Sequence, residues 1–165
     1  MEFKASLSNK SKFTTVLILV ICVVALIPSF VLLDGQYLFK IIIALIIMAS
    51  LAISAGFCTT GYRVMGTQLS IKRPFGEKVF DLRDIRVAEK IPAKDLRFSL
   101  RTFGNGGFFG FYGRFWNRKF GSMTWFATNL ENAILLTMNN GRKIIVTPDE
   151  TEKFIDVIKK PTQRI

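Results

Sequence analysis

The amino-acid sequence predicts an α-helical membrane hairpin followed by a mainly β domain that ends in one helix. Two long uncharged stretches come first, a hydrophobic period of two follows them, and a helix-start pattern precedes the last amphipathic segment. The 165-residue chain combines a mean hydropathy of +0.33 with a formal net charge of +11. The apolar and the basic residues are concentrated in different parts of the chain. Residues 1–58 hold four of the 23 Lys and Arg side chains, and residues 59–165 hold the other nineteen.

The first uncharged stretch, residues 13–33, is long enough to cross a membrane. An α-helix rises about 1.5 Å per residue, so such a stretch reaches roughly 30 Å, the thickness of the hydrocarbon core. A second stretch, extended by Tyr37 at the interface, predicts another span over residues 38–58. The turn at residues 33–36 is so short that the two spans must be antiparallel. A cleaved signal peptide is the competing interpretation, but its apolar core is typically shorter, at about 7–15 residues.

Cations flank both outer ends of this hairpin. Three lysines lie in residues 1–12 and basic residues resume at Arg63, whereas the connecting loop places Lys40 against Asp34. The positive-inside rule therefore predicts that both termini are cytoplasmic, with residues 1–12 as a short cytoplasmic N-terminus. Ala52 and Gly56 form a small-residue pair that permits close packing of the two helices.

Residues 59–165 are predicted to form the β domain. Apolar residues alternate with polar ones in about seven segments, and Asn140-Gly141 is a strong signal for a tight hairpin. The segment from Arg83 to Arg101 permits a second interpretation, because its cations recur every three or four residues as on one helical face. Pro92 interrupts that pattern, so strands are the preferred prediction.

A helix is predicted over residues 148–160. Thr147 is the expected N-cap, Pro148 the first helical residue, and Glu150 completes a capping box. Phe154 and Ile158 then lie on one face at helical spacing. The helix is expected to pack its apolar face against the β domain.

The most unusual segment is residues 103–116, with five glycines and seven aromatic residues. One interpretation is a bent strand or hairpin whose aromatic side chains fill the core. The other is a protruding loop that meets the membrane interface or a partner. The candidate interface residues of this loop are Phe108, Phe109, Phe111, Tyr112 and Trp116. In a mixed arrangement Phe109 and Phe111 are buried, and Phe108 and Tyr112 point outward. A phosphate-binding loop is excluded because no G-x-G-x-x-G pattern and no following helix are present.

Four short motifs together resemble the bacterial PH-like domain family over about residues 62–159. They are Asp81-Leu82-x-Asp84-Ile85, Arg101-x-Phe103-Gly104-x-Gly106-Gly107-x-Phe109-Gly110, Ala127-Thr128-Asn129 and Thr147-Pro148-Asp149-x-x-x-x-Phe154. The resemblance implies a PH-like barrel of two orthogonal sheets capped by the C-terminal helix, and a non-enzymatic interaction module. Eukaryotic relatives often bind phosphoinositides through a basic first hairpin, but the equivalent residues 64–68 carry no cation here.

Catalytic, cofactor and metal sites are not expected. The chain has no histidine, and Cys22 and Cys58 both fall in the predicted spans, where neither has a disulfide partner in the domain. The carboxylates of Asp81 and Asp84 are expected to serve a turn or a strand end. Nucleic acid is not expected as a partner of a domain tethered at a membrane.

We therefore expect a multi-pass protein of the cytoplasmic (inner) membrane. Its expected role is that of a scaffold or regulator of a membrane complex. Its partner is then another membrane protein or a further copy in a homo-oligomer. The alternative is a peripheral sensor of anionic lipid headgroups, since cations near such a surface each contribute about 1 kcal/mol. The candidate contacts are Lys72, Arg73, Arg97 and Arg101, the last two on one predicted strand face. Solubility and topology alone also account for a basic domain in this position.

Overall fold

A computed structural model describes the backbone of residues 1–32 and 37–162, and the side chains of residues 1–27 and 37–159. It contains two apolar helices followed by a mostly β domain of two sheets with a C-terminal helix. The predicted turn at residues 33–36 lies outside the described residues. The predicted fold class is confirmed, but residues 59–162 contain nine strands rather than about seven.

The two N-terminal helices are α1, Asn9–Leu32, and α2, Tyr37–Gly56. By length and composition both are apolar enough to cross a membrane, and few of their side chains are buried within the protein. Helix α1 begins four residues before the predicted span at residue 13, because its first turn is polar and lies against the β domain. The Ser8 N–H and the Ser11 hydroxyl both donate to the Thr128 carbonyl, at 3.3 and 3.4 Å.

The first sheet has the strand order β1-β2-β3-β4. Its strands are β1, Glu2–Lys4; β2, Gly61–Met65; β3, Gln68–Lys72; and β4, Lys78–Asp81. Strand β1 precedes both apolar helices yet pairs antiparallel with β2, which follows them, and Phe3 lies opposite Tyr62. The sequence of residues 2–4 does not predict this strand, because three residues are too few to show a period.

The second sheet has the order β5-β9-β10-β8-β7-β6. Its strands are β5, Ile85–Lys90; β6, Leu100–Gly107; β7, Gly110–Asn117; β8, Gly121–Ala127; β9, Ile134–Met138; and β10, Lys143–Val146. Strands β8 and β10 are parallel, and the other neighbours are antiparallel. The predicted Asn140-Gly141 turn joins β9 to β10, with Gly141 at a φ of 78°.

Two hydrophobic cores lie on opposite faces of the second sheet. The larger core joins both sheets to helix α3, Thr151–Thr162, around Tyr62 and Phe154. The smaller core contains Trp125, stacked on Phe115 with ring centroids 4.1 Å apart. Burial of the apolar face of α3 agrees with the predicted position of the C-terminal helix.

The predicted capping box at Thr147 is wrong. The Thr147 hydroxyl is buried and accepts from the Thr128 and Asn129 backbone N–H groups, at 2.8 and 3.4 Å. Asp149 accepts from the Ser6 backbone and hydroxyl. With these side chains engaged elsewhere, the helix begins at Thr151 rather than at residue 148.

The helical interpretation of residues 83–101 is also wrong. Strand β5 is followed by a 3₁₀ turn at Ala93–Asp95, and the next strand begins only at Leu100. The Asn117 side chain fixes this loop by donating to the Asp95 carbonyl and to the Ser99 hydroxyl, both at 3.0 Å. Arg97 therefore lies in a turn and does not share a strand face with Arg101.

Candidate interaction surfaces

The glycine-aromatic segment forms the hairpin of β6 and β7. Gly104 and Gly113 face each other across it with φ values of 105° and 118°. A Cβ atom on either residue would overlap the backbone of the opposite strand. Glycine at these positions allows the two strands to approach closely. The segment is thus a hairpin, but Phe103 and Trp116 are exposed and do not fill the core as that interpretation predicts.

The tip of the hairpin is held against helix α1. Phe109 has a φ of 54°, an uncommon value for a bulky residue, and its backbone N–H donates to the Thr15 hydroxyl at 2.9 Å. The Asn105 side chain donates to the Phe108 carbonyl at 2.7 Å. These bonds stabilise the strained turn beside the second turn of α1. If α1 spans the membrane from residue 13, the tip lies at the membrane interface.

Side chains of β7 alternate between the two faces of the sheet. Phe111 and Phe115 pack on the Trp125 ring in the smaller core. Tyr112 lies on the other face, where its ring is 6.1 Å from that of Phe57. Phe108 is only 6% exposed, so it does not point outward as the mixed arrangement predicts. The two-residue turn explains the difference, because it interrupts the alternation.

The outward face of this hairpin is apolar and basic. Register pairs Leu100 with Trp116 and Phe103 with Arg114, so the four side chains lie on one side. Leu100, Phe103 and Trp116 are 66%, 76% and 45% exposed. We call Leu100, Phe103, Arg114 and Trp116 the arginine–aromatic face. Sequence reasoning selected Trp116 but missed Leu100 and Phe103, which only the register identifies.

A second aromatic contact joins the end of α2 to both sheets. The Phe57 ring lies 5.9 Å from Phe75 and 6.1 Å from Tyr112, and the Arg73 guanidinium is 5.6 Å from the same ring. A Cβ on Gly56 would collide with the Phe75 ring. The small residue here thus accommodates the β3–β4 turn. The domain is therefore attached to the two apolar helices at the start of α1 and at the end of α2.

The four candidate lipid-contacting cations lie in different surroundings. The Lys72 ammonium is 3.0 Å from Glu2, and Arg73 packs over Phe57. Arg97 lies in the loop before β6, and Arg101 lies on that edge strand. The contacts of Lys72 and Arg63 lower the pKa of Glu2. Lys72 and Arg73 are thus engaged within the protein, whereas no acidic side chain among the described residues pairs with Arg97 or Arg101.

The two candidate carboxylates near the first sheet serve local structure. Asp81 accepts from the Arg83 backbone at 2.9 Å and pairs with its guanidinium, which lowers the pKa of Asp81 to about 2. Asp84 lies in the same short 3₁₀ turn. Among the described residues, no cluster of three or more His, Cys, Asp or Glu side chains is placed to hold a metal ion.

Comparison with known proteins agrees with this architecture. The family model described as bacterial PH domain matches residues 60–162, which include the β domain from β2 to α3 and exclude β1 and both apolar helices. No curated protein and no solved structure matches the chain. PH-like domains of this kind are binding or interaction modules. Since the family model covers more than half of the sequence, the chain belongs to the bacterial PH domain family.

Proposed function

We propose that this protein is a membrane-anchored scaffold or regulator of a membrane complex and that its arginine–aromatic face binds the protein partner. The observation that carries the proposal is the exposure of Leu100, Phe103 and Trp116 on one side of the β6–β7 hairpin. Aromatic residues and arginine are enriched at the centres of protein interfaces. An exposed apolar cluster of this kind typically marks an interaction site.

The edge of the second sheet supports the same surface. Strand β6 is the last strand of its sheet and runs for eight residues, Leu100–Gly107. A long open edge presents unpaired backbone groups with which an extended segment of a partner can pair. The partner is a second copy of this chain or another membrane protein, because anchoring restricts the encounter to one membrane surface.

In this proposal helices α1 and α2 provide the anchor, spanning the membrane over residues 13–33 and 38–58. Pairing of β1 with β2 supports a hairpin topology, since the segments before and after the two helices must then lie on one side. The lysines before residue 13 favour the cytoplasmic side of an inner membrane.

A peripheral sensor of anionic lipids is the second candidate. It is favoured by the net charge of +11 and by Arg97 and Arg101, neither of which forms an ion pair with a described acidic residue. Each cation near an anionic surface contributes about 1 kcal/mol to binding.

Photo-crosslinking of the full chain in membranes tests the proposed function. A photoreactive side chain at Trp116 should capture one protein species, and the same group at Val79, an exposed residue of the first sheet, should not. Replacing Leu100, Phe103 and Trp116 with Ser should abolish co-purification of that species without lowering the melting temperature.

The matched control replaces three exposed apolar residues elsewhere, Met65, Val79 and Val87, with Ser. This variant should retain the partner. Crosslinks from residue 116 to lipid alone, together with unchanged co-purification in both variants, would contradict the protein-binding role and favour the sensor.

A further inference from the structure

A groove with a volume of about 850 Å³ lies beside the start of helix α1. Its walls come from the segment before α1, the loop after β5, and the 3₁₀ turn at Leu130–Asn132. Phe111 and Leu130 form an apolar part of its lining. It is therefore on the side of the second sheet opposite the arginine–aromatic face, since Phe111 and Arg114 point to opposite sides of β7.

Three cations line this groove: Lys10, Lys94 and Arg97. Lys10 comes from the start of α1, and Lys94 and Arg97 come from the loop between β5 and β6. Glu131 is the one acidic residue among the lining side chains. None of the three cations has an acidic partner within ion-pair distance in the part of the chain that the structure describes. The groove thus carries an excess of positive charge that the protein itself does not neutralise.

The groove lies beside the residues of α1 that precede the predicted membrane span. Lys10 is three residues before Phe13, where the uncharged stretch begins, and this spacing is about 4.5 Å along a helix. A helix that enters the hydrocarbon core at Phe13 places Lys10 among the lipid headgroups. The groove then opens at the level of the phosphates, with apolar residues available to the glycerol and upper acyl region.

We propose that this groove binds the headgroup of an anionic phospholipid, with Lys10, Lys94 and Arg97 contacting its phosphate. The site is distinct from the hairpin between β2 and β3, whose residues 64–68 carry no cation. The inference rests on the part of the proposed function that places α1 in the membrane and does not depend on the protein-binding face. Two arguments identify an anionic phospholipid as the ligand: the positive charge of the groove, and the position of Lys10 at the level of the lipid headgroups.

Native mass spectrometry of the full chain in a mild detergent tests the site. Phosphatidylglycerol should be retained in preference to phosphatidylcholine with the same acyl chains. Replacing Lys10, Lys94 and Arg97 with Gln should weaken phosphatidylglycerol retention by roughly 10- to 100-fold. Replacing Lys10 and Lys94 with Arg should preserve it. If the triple variant fails to fold, the single Arg97→Gln change in an exposed loop should still weaken retention.

The matched control variant replaces three exposed cations outside the groove, Lys78, Arg118 and Arg142, with Gln. This variant should retain phosphatidylglycerol. Equal loss in both triple variants would overturn the proposal, because binding would then depend on net charge alone. Displacement by millimolar inorganic phosphate would overturn it as well, since the groove would then hold soluble anions. Loss of the protein partner with retained phosphatidylglycerol in the Leu100, Phe103 and Trp116 variant would show that the two functions are separate.

Discussion

The Phe3 and Phe154 rings meet edge to face with their centroids 5.0 Å apart, joining the first strand to the last helix of the protein. Phe3 is 4% exposed and belongs to the larger core. Edge-to-face pairs of buried aromatic rings add to the free energy of burial. The segment before the two apolar helices thus packs into the core of the β domain.

The Phe3→Ala variant should destabilise the domain by about 3–5 kcal/mol, because it leaves a cavity and removes the contact with Phe154. A large fall in the melting temperature of the detergent-solubilised chain is therefore expected. The control is Phe13→Ala, which truncates an exposed residue of α1 and should leave the melting temperature unchanged. Equal melting temperatures for both variants would mean that β1 does not stabilise the domain.

The same contact bears on whether a piece of the chain that starts at about Gly61 folds without the two apolar helices. Such a piece lacks β1, so its core is exposed where Phe3 packs. A synthetic peptide of residues 1–8 should raise its melting temperature in a concentration-dependent way, since a ligand of the native state stabilises it. The same peptide with Ala at position 3 should have little effect.

Tyr62 makes the stability of the domain depend on pH in the alkaline range. Its buried hydroxyl donates to the Phe126 carbonyl at 2.6 Å and accepts from the Thr147 N–H at 2.8 Å. Burial raises the pKa of Tyr62 to about 12. Because the folded pKa lies above the unfolded value, this contribution is complete below about pH 10 and falls by roughly 1.4 kcal/mol per pH unit as the pH rises toward the folded pKa.

The Tyr62→Phe variant should therefore be less stable than the wild type by about 1–3 kcal/mol at neutral pH, since it leaves two buried backbone groups unpaired. The difference in melting temperature between the two proteins should narrow between pH 10 and 12. A constant difference across that range would contradict a raised pKa for this residue.

Sequence reasoning predicted the parts of the fold that have a long local signal. The uncharged stretches, the Asn140-Gly141 turn and the amphipathic face of α3 each extend over several residues. It failed where a long-range contact competes with a local motif. Thr147 has the sequence of an N-cap, but its hydroxyl binds the backbone of Thr128, and no local pattern reveals that partner.

The candidate sites were predicted less completely for the same reason. The alternation of Phe111 and Tyr112 was visible, whereas the β-bulge between Arg101 and Phe103 was not. That bulge places Phe103 on the same face as Leu100. The groove near Lys10 is formed by three segments that are distant in sequence, so the sequence does not predict that its three cations lie together.

The hairpin tip should detach from α1 in the Thr15→Val variant. The substitution preserves the shape of the side chain and removes the acceptor of the Phe109 N–H. Hydrogen exchange at the Phe109 amide should become faster, because the lost bond leaves this N–H unpaired. Thr14→Val is the control, since the Thr14 hydroxyl donates within its own helix to the Lys10 carbonyl at 3.0 Å. Equal exchange in the two variants would contradict the attachment.

Close approach of β6 and β7 predicts different results for two glycines. Gly113→Ala should destabilise the hairpin by about 1–3 kcal/mol or more, because it combines an unfavourable φ with overlap against the Phe103 carbonyl. Gly106→Ala should have a small effect, since its Cβ would meet the Arg101 side chain at an ordinary 3.7 Å. Similar melting temperatures for the two variants would contradict the register at Gly104 and Gly113.

The last prediction concerns the orientation of the anchor. Strand β1 pairs with β2, and this pairing requires that residues 2–4 and 61–63 lie on the same side of any membrane that α1 and α2 cross. The cations outside the two spans favour the cytoplasmic side. A reporter that is active only outside the cytoplasm should therefore be silent when fused after Ile165 and active when inserted at Gly35, which lies outside the described residues. An active C-terminal fusion would overturn the orientation but not the hairpin, whereas equal activity at both positions would mean that the helices do not form two spans.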